Sequence, residues 1–308
     1  MLVSRSGRPG AIAAALGSEL PPLPEGLSIF AGWEAAALYR RGGLLVCAPL
    51  DGGPAKLVDA RRVVLATGRR SIPPLVPGAD LPGVFDLRTA VMLLHQHGIA
   101  LGRSVLIGTR DLAGLGTRLA DLGANIVAMR SAEALSRIDG AQRIEWAVFG
   151  TGHAIACDSL IHAGPWRPDP SLPFQASADG EFRLAADHLP SHIELVGAAA
   201  LAGEAVVHGP SLDDRAMVCP CMDVTVGEIR HLLATGCRHV EELKRLTGCG
   251  MGPCQGSPCW DLLAVALAAI TGSPPESFGH PSYRAPRGAL TLAQAAGLAD
   301  LVQPEAER

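Results

Sequence analysis

Hydrophobic residues follow two different rhythms along this chain. Up to about residue 200 they come in short apolar runs closed by glycine or proline. Arg61-Arg-Val-Val-Leu-Ala-Thr-Gly68 predicts a buried strand, followed by a turn-rich stretch through Pro73, Pro74 and Pro77-Gly78. Ser104-Val-Leu-Ile-Gly108 predicts another strand. Leu112, Leu115, Leu119 and Leu122 then recur at helical spacing up to Gly123, and Asn125-Ile-Val-Ala-Met129 reads as the next strand. His192-Ile-Glu-Leu-Val-Gly197 is one more. Beyond Cys219 the rhythm turns helical. Thr225-Val-Gly-Glu228 reads as a capping box opening a helix through Ile229, Leu232 and Leu233, stopped at Gly236. Val240, Leu243 and Leu246 mark a second helix from His239 to about Leu246, stopped at Gly248. Ser257 as N-cap and Pro258 as the first helical residue predict a third, over about 258–271. The pattern is an α/β body followed by a small all-helical unit.

Composition narrows the class. The 308 residues are 48% apolar and 4% aromatic, which suits two or three packed domains and excludes fibrous or disordered chains. A net charge of −4 leaves no nucleic-acid footprint. The longest apolar run, Leu262 to Ile270, is too short for a transmembrane segment. Ala11 to Leu16, preceded by Arg5 and Arg8, imitates a signal core but lacks its length and a cleavage site, so a cytoplasmic protein is expected.

The chemistry lies in the cysteines. Cys219-Pro-Cys221 is followed, after a stretch long enough for two short helices, by Cys254-Gln-Gly-Ser-Pro-Cys259. Two close thiol pairs can grip a metal centre from two sides. Reducing conditions argue against disulfides, whereas structural zinc uses the same donors and stays open as an alternative. Cys249 competes for a place, because Cys249-Gly-Met-Gly-Pro-Cys254 has the same spacing as Cys254 to Cys259. Cys254 and Cys259 are preferred because the third helix begins there, and a first-turn thiolate is favoured by the helix dipole. Gly248, Gly250 and Gly252 form a turn that lets backbone approach the sulfurs. Cys47 and Cys157 read as small buried hydrophobes and Cys237 as structural.

The segment "CPCMDVTVGEI…GC…ELKRLTGCGMGPCQG…C" resembles the carboxyl-terminal region of amino-acid and opine dehydrogenase large subunits. These include the large subunits of octopine and nopaline oxidase, the corresponding subunit of hydrogen cyanide synthase, and D-hydroxyproline dehydrogenase. The sarcosine oxidase alpha chain shares the "GMGPCQG" turn. The resemblance implies a bacterioferritin-associated-ferredoxin-like module with a [2Fe-2S] cluster on Cys219, Cys221, Cys254 and Cys259. Upstream, the Ala66-Thr67-Gly68 strand end and Leu81-Pro-Gly-Val-Phe85 resemble flavoproteins with two dinucleotide-binding domains, of the pyridine nucleotide-disulfide oxidoreductase kind. In that family the backbone at Ala66, Thr67 and Gly68 would lie beside FAD. The boundaries implied are 1–82 for a partial FAD-type domain without its phosphate loop and 83–165 for a degenerate NAD-type Rossmann-like domain. Residues 166–212 would return to the first domain, 213–272 form the cluster unit, and 273–308 a tail.

Some positions depart from that pattern. A dinucleotide fingerprint needs a second glycine where Arg110 stands in Gly108-Thr-Arg110-Asp-Leu-Ala113, and Met129-Arg130 replaces the acidic residue after the next strand. NAD is therefore not expected. Met1 to Gly10 contains no GxGxxG loop, and Gly197 precedes Ala198 where the family has a carboxylate, so FAD would be held weakly or with a partner. No His, Ser or carboxylate constellation looks catalytic; Asp158, Asp169 and the ten histidines read as structural. The implied role is an iron–sulfur electron-transfer subunit of a heteromeric FAD-dependent amine or amino-acid dehydrogenase, acting on an opine, hydroxyproline or sarcosine-like substrate. Its partner would be a flavin-bearing amine-oxidase-type subunit. A stand-alone redox-sensing or binding protein and a truncated non-catalytic homologue are the alternatives. The tail Pro281 to Arg287 is expected to be extended, either solvated or packed on the partner.

Overall fold

The computed structural model describes residues 1–39, 44–169, 171–172, 189–206, 208, 212–278, 286 and 290–298. The chain opens with a strand–helix–strand unit that the sequence did not announce: β1 (Leu2–Ser4), α1 (Ala11–Ala15) and β2 (Ile29–Ala31), with β1 and β2 parallel. β3 (Trp33–Tyr39), β4 (Leu44–Pro49) and β5 (Lys56–Asp59) follow as an antiparallel meander. Period-two alternation sends Leu45 and Cys47 to one face of β4 and Val46 and Ala48 to the other, and both faces are covered. β6 (Val63–Leu65) ends before Ala66-Thr67-Gly68, and β7 (Arg69–Ser71) carries the chain out of this first part.

The second part is built on β8 (Val84–Asp86), α2 (Leu87–Val91, extended by a π turn over Met92–Gln96), β9 (Arg103–Gly108), α3 (Ala113–Asp121) and β10 (Asn125–Ser131). β11 (Leu135–Asp139), β12 (Trp146–Phe149) and β13 (His153–Ala156) make an antiparallel insert before β14 (Ser159–Ala163). The main sheet has the order β10-β9-β14-β8, all parallel. Val105, Ile107 and Leu160 pack towards the insert, whereas Leu106 and Ile161 pack with α2 and α3. Burial on both faces explains why the run at 104–108 is apolar throughout rather than alternating.

β15 (Trp166–Pro168) brings the chain back, antiparallel to β7, and β16 (Ile193–Leu195) lies parallel to β6. The α/β fold with two nucleotide-type halves is thus present, joined by the β7–β15 ladder. The last unit contains the hairpin β17 (Met217–Cys219) and β18 (Val224–Thr225), then α4 (Val226–Ala234), α5 (Val240–Thr247) and α6 (Cys259–Thr271). Its core is not self-contained. Ile72 and Leu75, from the stretch after β7, are buried among Val218, Ile229, Leu243, Trp260 and Leu263.

α7 (Leu292–Ala296) starts on a capping box at Thr291 and Gln294. It covers the β3–β5 meander, where the buried Gln294 side chain donates to the Pro49 carbonyl at 2.7 Å. This part of the tail therefore packs on its own chain. Pro281 to Arg287, apart from Pro286, lies outside the described residues. No described helix is long and apolar enough to cross a membrane.

Candidate metal centre

Local caps position the thiols. The Thr225 hydroxyl accepts from the Glu228 amide at 3.3 Å to start α4, and His239 Nδ1 accepts from the Glu241 amide at 3.1 Å to start α5. Gly248 then ends α5 at φ +73°. Between α5 and α6 the chain descends through successive turns, with Met251 N–H to the Gly248 carbonyl, Gln255 N–H to Gly252 and Ser257 N–H to Cys254. α6 does not start as the sequence suggested. Pro258 occupies the N-cap position and Ser257 makes no cap hydrogen bond; the first turn is closed by backbone bonds from Trp260 to Gly256 and from Asp261 to Pro258. The bend at Gln255 and Gly256, both at positive φ, moves the helix start one residue on. Cys259 is the first residue of α6 and fully buried.

The cysteines gather at the foot of α6. The Cys254 Sγ lies 3.5 Å from the Cys259 Sγ, and Cys219, Cys249 and Cys259 are buried in one cluster against which Cys254 packs. Cys254 is half-buried and Cys221 is exposed. Backbone passes close to these side chains. A Cβ on Gly252 would fall 2.3 Å from the Cys221 Cβ, and one on Gly256 1.9 Å from the Trp260 Nε1, so neither position has room for a side chain. Cys249 is therefore part of the assembly, which spacing alone did not reveal. Hydrogen bonds from Cys249 and Cys259, with further ones from the Gly250 and Met222 amides, outweigh burial and hold the Cys219 thiol far below the usual thiol range. The same contact, with burial, pushes the Cys249 thiol up. Cys47 and Cys157 are buried in apolar cores that contain no other cysteine.

An ion network clamps the foot of α6. Asp261 bonds Arg70 Nη2 and Arg167 Nε, each at 2.7 Å, and Arg70 also meets Asp169 at 3.4 Å. Arg70 and Arg167 are direct partners across the β7–β15 ladder. Like charges placed so are costly unless a carboxylate lies between them. Asp261 stands in the first turn of α6, and its arginine partners lie far from it in sequence.

The nucleotide-type crevices look different. Ala66, Thr67 and Gly68 stand at the carboxyl ends of β6 and β16, with Ala66 and Thr67 exposed and Gly68 half-buried at φ +71°. In the second half, a cavity of about 480 Å³ at the carboxyl edge of the main sheet is lined by Thr109, Arg110, Glu133, Glu204, Val206 and His208. Glu204 accepts from Thr109 Oγ1 at 2.9 Å, Arg110 Nη2 at 2.5 Å and the Trp166 amide at 3.0 Å. Burial raises its pKa, but these donors outweigh burial and hold the carboxyl below its usual range. The carboxylate and the arginine occupy the edge where a dinucleotide's phosphates would approach backbone.

Residues 213–298 match the family described as the sarcosine oxidase A3 domain. Over 91 residues, 30% of this chain and 19% of the relative, the sequence is 36% identical to the opine oxidase A-subunit of Rhizobium meliloti (strain 1021). A second opine oxidase A-subunit, from Rhizobium meliloti, is 32% identical over 87 residues, which are 28% of this chain and 16% of that protein. The matches thus span less than a fifth of either curated relative. The crystal structure of L-proline dehydrogenase from P. horikoshii superposes on 94% of this chain and 73% of its own, with a TM-score of 0.77 at 21% identity, a likeness of fold.

Proposed function

We propose, starting from a carboxyl-terminal segment of the sarcosine oxidase A3 type, that this chain is an iron–sulfur electron-transfer subunit. The enzyme would be a heteromeric FAD-dependent amine or amino-acid dehydrogenase. The observation that carries the reading is the cluster of cysteines at the foot of α6. A single zinc ion needs four donors around one point. A centre of two irons takes two thiolates on each and uses the same kind of donors; labile sulfide, measured below, separates the two.

Cys219, Cys221, Cys254 and Cys259 would hold the [2Fe-2S] group. When bound, it supplies a one-electron store between a two-electron flavin donor and an acceptor. The chain's own residues supply the enclosure: Cys219 and Cys259 sit in an apolar core with Trp260 and Val226, which keeps water from the inner side. Cys221, exposed in the hairpin turn, is the edge a partner can reach.

The described residues do not fit FAD on their own. The helix after β1 is five residues long, and Ala198 offers no carboxylate at the end of β16. Ala66, Thr67 and Gly68 would line a flavin held together with a flavin-bearing partner; both curated relatives are named as subunits. The Arg110–Glu204 pair argues against NAD in the second crevice.

Anaerobic purification tests the reading. Full-length protein is expected to be brown, with about two irons and two acid-labile sulfides per chain. Cys254→Ser and Cys259→Ser should each abolish both. Stoichiometric zinc without labile sulfide would refute the cluster.

A further inference from the structure

Cys254 and Cys259 stand apart from the other cysteines by position and by access. Their sulfurs lie 3.5 Å apart. Cys254 sits in the turns before α6 and is half-buried, whereas Cys259, the first residue of α6, is fully buried. Positive φ at Gln255 (+49°) and Gly256 (+85°) folds the chain back between them, and the Ser257 amide closes the turn on the Cys254 carbonyl at 3.1 Å. The pair therefore joins a thiol that solvent reaches to one that it does not. Cys219 and Cys249 are both fully buried. Cys47 and Cys157 lie in cores that contain no other cysteine, and the Cys237 thiol donates to the His239 carbonyl at 3.8 Å. Cys221 is exposed in the hairpin turn.

We propose that in the metal-free chain Cys254 and Cys259 form a reversible disulfide, which closes the candidate metal centre under oxidation. The sulfurs must close by about 1.5 Å to reach the bonding distance of roughly 2.05 Å. Cys254 lies outside any helix or strand, so rotation of the side chains and a small movement of the turn supply that distance. The oxidant is a hydroperoxide, hydrogen peroxide in the simplest case. The Cys254 sulfur attacks one peroxide oxygen, the O–O bond breaks, and one water leaves with the thiol proton, giving a sulfenic acid. The Cys259 sulfur then attacks the Cys254 sulfur, the S–O bond breaks, and a second water leaves with the Cys259 proton. The two thiols lose two electrons and two protons, and the peroxide takes up both. An accessible thiol beside a resolving one is the arrangement found in redox-sensing cysteines. The pairing stands on the positions of the two sulfurs; its effect on metal uptake rests on the metal-centre reading above.

The test uses the full-length chain, stripped of metal by a chelator under reductant, freed of both, and treated anaerobically with one equivalent of hydrogen peroxide. Free thiols are counted by alkylation after unfolding, and linked peptides are mapped by mass spectrometry. The count should fall by two from eight, with Cys254 joined to Cys259, and dithiothreitol should restore it. Uptake of iron with sulfide, and of zinc in a parallel sample, should be lost in the oxidised chain and return with dithiothreitol. Cys259→Ser should form no disulfide and leave Cys254 as a sulfenic acid that dimedone labels. The wild-type map decides the pairing even where that variant fails to fold. An unchanged thiol count, a bond from Cys254 to Cys221, or oxidation of Cys254 past the sulfenic acid without a disulfide would each overturn the pairing. A disulfide-bonded chain that still takes up metal in full would overturn the switch. The map is made without metal, so its failure is distinct from failure of the iron–sulfur reading, which zinc uptake without labile sulfide by the reduced chain would show.

Discussion

Replacing Gly256 by alanine probes how the loop carrying Cys254 is fitted to α6. Two separate costs arise. Gly256 has φ +85°, a conformation that costs an L-residue about 1–2 kcal/mol. The new methyl would also sit 1.9 Å from the Trp260 Nε1 and 2.3 Å from its Cδ1, so the indole must move within a packed core. Overpacking of that kind costs about 1–3 kcal/mol. Together they come to roughly 2–5 kcal/mol. Gly272, which ends the same helix at φ +69° with nothing within 4 Å of its would-be Cβ, isolates the first cost. Gly272→Ala should therefore lose only about 1–2 kcal/mol. Urea denaturation followed by far-ultraviolet circular dichroism separates the two. With a slope near 2 kcal/mol/M, the Gly256→Ala midpoint should fall about 0.5–1.5 M below that of Gly272→Ala. Because the chain has several units, the comparison is made on the transition that carries the helical signal. Displacement of Trp260 should also disturb the turn between Cys254 and Cys259, so iron loading should drop in Gly256→Ala alone. Equal midpoints and equal loading in the two variants would refute the packing argument.

Two further outcomes follow from charge. His162 is buried in β14, its Nδ1 2.7 Å from the Ser71 hydroxyl, and burial lowers its pKa to about 4 against a smaller opposing effect of Asp86. The unfolded chain takes up this proton near the ordinary value and the native chain does not. Stability should thus fall as pH drops from about 6.5 to about 4, by about 3 kcal/mol, and level off below. Urea midpoints across that range should show the slope in wild type and lose it in His162→Gln; a slope that persists in the variant counts against the assignment. Asp261→Asn removes the carboxylate between Arg70 and Arg167, while Asp169 stays 3.4 Å from Arg70. Since all three side chains keep some contact with water, a loss of about 2 kcal/mol is expected rather than the larger cost of a sealed pair. An unchanged thermal midpoint would show that the network contributes nothing.

Features that depend on neighbours three or four residues away were readable from the chain. Thr225 and Gly248 announce the limits of α4 and α5 because caps are local hydrogen bonds, and Gly123 likewise closes the turn after α3. The apolar run at 104–108 marked a strand, again from a local pattern; that both its faces are covered came with the fold. What escaped depends on partners far apart in sequence. Cys249 looked like a competitor for a ligand position, and only the folded hairpin brings Cys219 into the same buried cluster. Arg110 was visible as an obstacle, yet Glu204, which holds it in the crevice, lies on the returning segment. Pro258 displaced Ser257 from the cap because the bend at Gln255 and Gly256 redirected the backbone, an effect outside cap statistics.

Ile72 and Leu75 bear on any attempt to use the carboxyl-terminal unit as a portable part. They are 0% and 1% exposed within its core, although they precede it by some 140 residues. A fragment cut near residue 213 would open two holes worth about 1.5–3 kcal/mol each. It would also strip both arginines from Asp261. A transplant into another scaffold must therefore bring its own two apolar plugs and one cation at the foot of α6. Read in reverse, a host lineage that acquired this unit could keep it only by adapting the ladder it leans on, so the two would be expected to change together.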